Sequence, residues 1–463
     1  MDTEAVRCDT LRHMRVMLAV LLSLPLMAQT ASEENYKAYT EAPRLLLRPS
    51  RLRLLTRERE RQTIRFQQFD MYIQNRSAMP EAGFALALAG RVASSESHCG
   101  TAHAWVMKAK EADLRQKAIV YDWCEPMLKE GQKSALVDAM RAGYPAIGNY
   151  ATLRDRAFVA LALADVDAAL SEKVLREAVE HWRKVVAPGL RQAVAVAGEQ
   201  LYPLLEFLHV VRDNLEIDLR QDAAQYFLDL PLTQMLGYYP APYPGQDNEF
   251  RVAFFSGDGE PDLKLATMLR AAELSLVALD NNAELAQSLQ GWLLQDRYLL
   301  RSTLGIPYEF LWANPYQPGL TYHHLPNSYH DRRNGRLLIR SHWEEEAKFL
   351  CYYDGKIQLF EDGKRKELKV SPATPAVEMG GATILVGGKD LLKPIQFELE
   401  GSDREAWYIV GLRPDTIYDL EIDDQELDEL KTDRGGILSL EFVKATAKTG
   451  VRISQARFLK GTE

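Results

Sequence analysis

From Pro49 to about Arg301 the apolar residues recur at helical spacing, as in Leu153, Phe158 and Leu161 and again in Val174, Leu175, Val179 and Trp182. That spacing predicts successive amphipathic helices, with further stretches around 103–128, 131–142, 201–213, 221–236, 262–279 and 283–300. Ser171 is placed to cap the helix that carries Val174, and Pro188-Gly189 to interrupt the segment after it. No strand-like alternation of useful length separates these stretches, so their apolar stripes must bury against one another. Antiparallel pairs wrapped into an incomplete (α/α) toroid achieve this and leave a cleft at one end. A superhelical solenoid is the competing arrangement, and the lack of a clear fixed-period repeat weighs against a regular array.

Near residue 320 the pattern changes. After a linker rich in proline and aromatics, Pro307 to Asn334, short runs follow at Leu337–Ser341, Lys348–Tyr353, Ile357–Phe360, Ala382–Val386, Ile395–Leu399, Trp407–Val410, Ile417–Ile422, Ile437–Phe442 and Val451–Ser454. Glycine-bearing turns such as Asp354-Gly355, Asp362-Gly363 and Gly435-Gly436 divide them, which predicts an antiparallel β-sandwich. The expected organisation is therefore α then β: a toroid over 32–306, a linker over 307–334 and a sandwich over 335–463. Within the sandwich, Gly411-Leu412-Arg413-Pro414-Asp415-Thr416-Ile417-Tyr418 resembles the segment that carries the tyrosine corner of fibronectin type III domains. That resemblance gives Tyr418 a structural role and covers only the C-terminal part of the domain.

Composition narrows the picture. A chain of 463 residues with 46% hydrophobic content can bury more than one core, and its formal net charge of −9 makes it a poor general binder of nucleic acid. Any anionic partner must be met by a local basic cluster. At the N-terminus, Met14-Arg15, the apolar run Val16–Leu26 and the small and polar residues Ala28–Ser32 form a signal peptide pattern over 1–31. The expected protein is exported, periplasmic or secreted, with no membrane association after cleavage, because no later segment is long and apolar enough to span a bilayer. Asp2, Glu4 and Asp9 suit a positively charged leader poorly, which makes Met14 an alternative start. Of four cysteines, Cys8 leaves with the leader. Cys99, Cys124 and Cys351 then form either one Cys99–Cys124 disulfide with a thiol left over or a set of buried inert side chains, and their spacings match no zinc motif.

Four segments carry the chemical expectation: Tyr121-Asp122-Trp123, Asn149-Tyr150, Gly198-Glu199-Gln200-Leu201-Tyr202 and Arg340-Ser341-His342-Trp343. Their order resembles the heparinase II/III-like polysaccharide lyases, secreted proteins in which a helical toroid precedes a β-sandwich. The resemblance implies β-elimination on an acidic, uronate-containing polysaccharide. Such a reaction removes the proton beside the carboxylate, expels the glycosidic oxygen and stabilises the enolate-like charge, so it needs a neutraliser, a base and an acid. Asn149 is the expected neutraliser, Tyr202 the acid/base, and His323, His324 or His330 of the linker the second proton-transfer group. Tyr150, Glu199, Asp258, Arg332 and Arg333 are the expected substrate contacts, with the aromatic loop Tyr238-Tyr239 through Phe254-Phe255 stacking on sugar faces.

The chain departs from that pattern in two places. Tyr150 stands where several relatives carry His, and Ile357-Gln358-Leu359-Phe360-Glu361-Asp362-Gly363 replaces a His-x-His-x-Asp-like stretch. A carbohydrate-binding relative without turnover is therefore an alternative. A hydrolase using two carboxylates among Asp122, Glu199 and Asp258 is another. No metal or cofactor is expected: His323-His324 lack a companion ligand set, and the glycine pairs near Gly380 and Gly387 lack the strand–loop–helix setting of a phosphate cradle.

Overall fold

A computed structural model of the chain describes residues 34–110, 112–245, 248–389, 391, 393–399, 406–423, 425–441 and 449–455. The leader expected at 1–31 lies outside the described residues. The chain divides into Met1–Tyr36 and Lys37–Glu463, and the second unit carries both the helical half and the half built of sheets.

The helical half is a double ring. Its inner helices are α3 (Ala82–Ala93), α5 (Leu114–Cys124), α7 (Tyr150–Ala162), α10 (Gly198–Leu215), α12 (Leu263–Leu279) and α14 (Gly305–Trp312). Each packs on the next, and α14 returns to α3; that closing contact is the slightest, because α14 has only 8 residues. Around them lie α1 (Pro49–Glu60), α2 (Ile64–Gln74), α4 (Glu96–Val106), α6 (Glu130–Ala142), α8 (Ala168–His181), α11 (Ala224–Leu236) and α13 (Glu284–Gln295), while the short α9 (Ala187–Arg191) follows α8. The pattern of burial explains the layering. Every residue of α14 and nearly all of α5 are buried, as helices surrounded on all sides require, whereas α4 and α6 bury a single stripe.

Local chemistry sets the boundaries. The stretch expected as one helix over 103–128 is two: Asp113 accepts the Gln116 N–H (2.8 Å) and starts α5 afresh, and the Cys99–Cys124 disulfide joins α4 to α5. Asp167, not Ser171, caps α8 (3.1 Å from the Leu170 N–H), and Ser171 is buried inside the helix. Pro188 does not break the chain outright; a π-helical turn over Trp182–Val186 carries the backbone into α9. Asp122 accepts the N–H groups of Arg44 (2.9 Å) and Leu45 (2.8 Å), and the Trp123 indole donates to the Leu45 carbonyl (2.7 Å). The Tyr121-Asp122-Trp123 motif therefore pins residues 44 and 45 at the C-terminal end of α5.

A two-strand hairpin, β1 (Tyr243–Pro244) with β2 (Glu249–Phe250), stands in the loop after α11. The C-terminal half holds three stacked sheets. The first orders β3 (Ser328–Asp331), β4 (Arg336–Arg340), β5 (Phe349–Tyr353), β6 (Lys356–Glu361) and β7 (Lys364–Leu368), all antiparallel. The second orders β14 (Leu438–Glu441), β11 (Ala406–Val410), β9 (Ala382–Val386) and β8 (Val377–Met379), with β9 and β11 parallel. The third orders β10 (Ile395–Leu399), β15 (Thr449–Gln455), β12 (Ile417–Ile422) and β13 (Gln425–Lys431). Leu337, Ile339 and Leu350 pack on Ile384 and Val410, while Trp407 and Ile409 pack on Leu420 and Ile453. The middle sheet is thus buried on both faces, which is why Trp407-Tyr408-Ile409-Val410 reads as a continuous apolar run. The Tyr418 hydroxyl accepts the Arg413 N–H (3.2 Å) and ties down its corner as expected.

Candidate functional site: the cleft between toroid and sandwich

The loop after α11 docks the two halves. The Tyr239 ring stacks on Phe360 (centroids 4.9 Å apart) and its hydroxyl donates to Gln358 (2.5 Å). Arg365 donates to the Phe255 carbonyl (3.0 Å) and lies over the Phe255 ring (4.1 Å). Of the aromatics expected to stack on sugars, Phe254 also meets the sandwich at Tyr353 (5.1 Å) and Tyr238 is buried against Trp292 (5.4 Å), while Asp258 stands exposed in the loop. Beside the seam opens a cleft of about 640 Å³ whose charged lining is Arg251, Arg297 and Arg301 with Glu249, Asp296 and, from the sandwich side, Glu345.

A buried ion network forms its wall. Asp296 accepts from Arg251 (2.6 Å) and Arg270 (2.6 Å), Arg270 also reaches Glu273 (3.0 Å), and Arg251 spans to Glu345 (3.0 Å) across the seam. Burial pushes the Asp296 carboxyl up, but its two guanidinium partners outweigh it and hold the group below the usual carboxylate range. Directly after it, Arg297, Tyr298 and Leu299 all adopt left-handed backbone, with φ of 49°, 66° and 50°. Non-glycine residues enter this region at a cost of roughly 1–2 kcal/mol each. The turn persists because Arg270 also donates to the Tyr298 carbonyl (3.1 Å) and the Tyr298 ring is buried. The turn and its flank leave Arg297 and Arg301 exposed, and among the described residues neither has an ion-pair partner. Beneath Arg301, burial pushes the Glu309 carboxyl up to about 7, against the opposing pull of Arg65 and Arg301.

The residues expected from the sequence do not assemble into one site. Asn149 is the N-cap of α7, its side-chain oxygen accepting the Thr152 N–H (2.9 Å). The segment of Tyr202 does come near it, since the Ala151 N–H donates to Gln200 (3.2 Å). Tyr202 itself faces the ring's interior, 1% exposed, where its hydroxyl accepts the Trp312 indole N–H (2.8 Å) and its ring meets Tyr308 edge-on. Burial and the nearby Glu206 carboxylate raise the phenol well above its ordinary value. Glu199 is exposed in the first turn of α10, and burial raises the half-buried Tyr150.

The linker histidines separate. His330 belongs to β3, where it pairs with Asp433 (2.9 Å) and packs edge-on against Tyr408. His323 stacks on Tyr322 and pairs with Glu344 (3.1 Å), next in sequence to the cleft residue Glu345, while His324 is exposed beside it. Arg332 and Arg333 are exposed after β3, with Arg332 near Ser439 (3.4 Å). Sequence reasoning missed Arg251, Asp296, Arg297 and Arg301 because Leu293-Leu294-Gln295-Asp296-Arg297-Tyr298-Leu299-Leu300 continues a helical apolar spacing and nothing in it signals a left-handed turn.

At the opposite end of the ring a second cleft, of about 510 Å³, is lined by Arg51, His209 and Trp312. The Trp312 indole is contacted there by Arg51 (4.5 Å) and by His209 (4.6 Å). Burial, with Arg212 nearby, holds His209 well below its ordinary value, and its Nε2 is 2.9 Å from the Ser275 carbonyl.

No family model matches the chain, and no curated protein sequence matches it. Among solved structures it is similar to heparinase III, at 9% identity and a TM-score of 0.35, over 81% of this chain and 76% of that one. Heparan sulfate lyase HepC from Pedobacter heparinus aligns at 10% identity and a TM-score of 0.36, over 82% and 77%. A glycoside hydrolase aligns at 9% identity and a TM-score of 0.30, over 81% and 71%. At these values the architecture stands on the chain's own helices and sheets.

Proposed function

We propose that this is an exported, polysaccharide lyase-like protein that engages an acidic, uronate-containing glycan in the cleft between toroid and sandwich. The carrying observation is the left-handed turn at Arg297–Leu299, flanked by the exposed guanidiniums of Arg297 and Arg301, neither of which is within ion-pair distance of a carboxylate among the described residues. Strained backbone is retained where surrounding structure and function both require it, and arginine forks match planar carboxylates. Export is supported by the Cys99–Cys124 disulfide, since such bonds persist in oxidising compartments. Asp258, Arg332 and Arg333, all exposed, remain proposed outlying contacts for a long chain, as do Tyr150 and Glu199 at the α7 and α10 starts.

Binding without turnover is the reading we favour, because the Tyr202 hydroxyl is already engaged by Trp312 inside the ring. β-Elimination is the second reading, favoured by His323, whose imidazole is oriented by Glu344 in the way a general base is commonly held. In it the roles the resemblance implies, Asn149 as neutraliser and Tyr202 with His323, His324 or His330 as proton-transfer groups, require a rearrangement that brings these separated side chains to one glycan.

The test incubates the mature protein with alginate, heparan, chondroitin, pectic and glucuronan chains while recording calorimetric binding and absorbance in the unsaturated-uronate band. Binding that Arg297→Ala with Arg301→Ala abolishes, without an absorbance rise, is the expected result. A rise that His323→Ala removes selects elimination, and no binding to any chain sinks both readings.

A further inference from the structure

Arg340 ends β4 at the seam, and the residue is 2% exposed. It lies over the Trp343 ring (4.7 Å) and donates from Nη2 to the Tyr238 carbonyl (3.1 Å), but its Nε has no acceptor. Among the described residues no carboxylate pairs with it. Burial and the like charge of Arg251 lower it to about 10. The surrounding charges do not balance either. Three guanidiniums are buried at this seam, those of Arg251 (7% exposed), Arg270 (2%) and Arg340, against the two buried carboxylates of Asp296 (6%) and Glu273 (0%). The further carboxylate that reaches Arg251, Glu345, is 62% exposed and therefore screened by water.

A buried charge without a partner is strongly destabilising, so the seam calls for one negative charge. Arg340 and Arg251 both line a small cavity of about 10 Å³, together with Tyr322, Gln295 and Trp343. That is room for about one water-sized particle. The acids on its rim are already engaged, Glu344 by His323 (3.1 Å) and Glu345 by Arg251 (3.0 Å), and the Tyr322 hydroxyl donates to Gln295.

We propose that a single monatomic anion of the chloride class binds between Arg340 and Arg251, completing the charge of the toroid–sandwich seam. The small space favours a monatomic ion over sulfate or phosphate, and the two guanidiniums reject cations. A neutral water satisfies Nε yet leaves the guanidinium unbalanced. Because Arg340 belongs to the sandwich and Arg251 to the toroid loop, the anion couples halide concentration to domain docking. The site shares Arg251 and Glu345 with the neighbouring cleft, but it rests on the unpaired Arg340, which does not line that cleft.

The test compares thermal unfolding of the full mature chain in sodium chloride and in sodium gluconate at equal ionic strength, and wild-type crystals grown in sodium bromide. The expected result is a saturable rise of the midpoint with chloride or bromide, lost in Arg340→Met, and an anomalous bromide peak within hydrogen-bond reach of Arg340 Nε. Equal midpoints in the two salts, or a site that scatters as water in bromide crystals, overturn the proposal. The bromide crystal needs no variant, so it decides even where Arg340→Met fails to fold.

Discussion

The centre of the ring and the seam between domains both bury branched ion networks, yet the two are built differently. At the centre, Glu206 receives Arg115 (2.7 Å) and Arg154 (3.1 Å), and these arginines extend to Glu81 (2.9 Å) and Asp155 (2.7 Å). Arg115, Arg154, Asp155 and Glu206 sit on adjacent inner helices, with aromatic faces of Phe84, Tyr202 and Tyr308 around Arg115. At the seam, the partners come from an inner helix, two loops and the sandwich, and the network ends at a cleft beside strained backbone. Paired charge among packed helices holds a ring together. The same chemistry, left open on one side, is available to a ligand.

The sharpest way to break this comparison is to remove one carboxylate from each network. Glu206→Ala leaves Arg115 and Arg154 buried and uncompensated, and should cost about 3–5 kcal/mol in urea unfolding. Glu345→Ala, whose carboxylate is largely solvated, should cost no more than about 1 kcal/mol. Equal losses would erase the distinction.

A pH series tests the ring next, at its inner helix α14. The Glu309 carboxyl is raised from 4.5 to about 7, so the folded state holds its proton more tightly than the unfolded chain does. Its contribution is complete below pH 4.5 and is lost as pH rises through 7, an effect on the order of 3 kcal/mol. Glu309→Gln should flatten that limb of the stability profile, and an unchanged slope would show that another group carries it.

Within the ring, Tyr202→Phe should leave the Trp312 N–H unsatisfied and cost about 1–3 kcal/mol while glycan binding is unchanged. A selective loss of turnover at full stability would instead return Tyr202 to a catalytic role. The smallest stability effect belongs to the strained turn. Arg297→Gly relieves the left-handed φ and should leave stability unchanged or raised by up to about 1 kcal/mol. Glycan affinity should fall by about tenfold, as loss of one charge-assisted contact implies. Falling stability together with intact affinity would place the turn's role in folding.

The order of helices and then strands was legible in the residues because amphipathic periodicity is a local consequence of burying one face. Besides the short hairpin β1–β2, the strands that escaped the pattern, β3, β7, β8 and β13, all lie at sheet edges. Edge strands such as Lys364–Leu368 carry polar side chains that blunt pairing with other chains, and so lose the apolar signature. The linker reading concealed β3 for that reason, and with it the pairing of His330 to Asp433.

The candidate site was less legible. By itself the sequence determined which segments bury an apolar face and that an anionic partner requires a local basic cluster in an acidic chain. Only the tertiary structure decided that Tyr202 turns inward to Trp312, that the aromatic loop is spent on docking, and that Arg297 and Arg301 flank an interdomain cleft. Those outcomes depend on which neighbour covers a side chain. Helical spacing records that a face is buried, but the covering partner lies far away in the chain and leaves no mark on it.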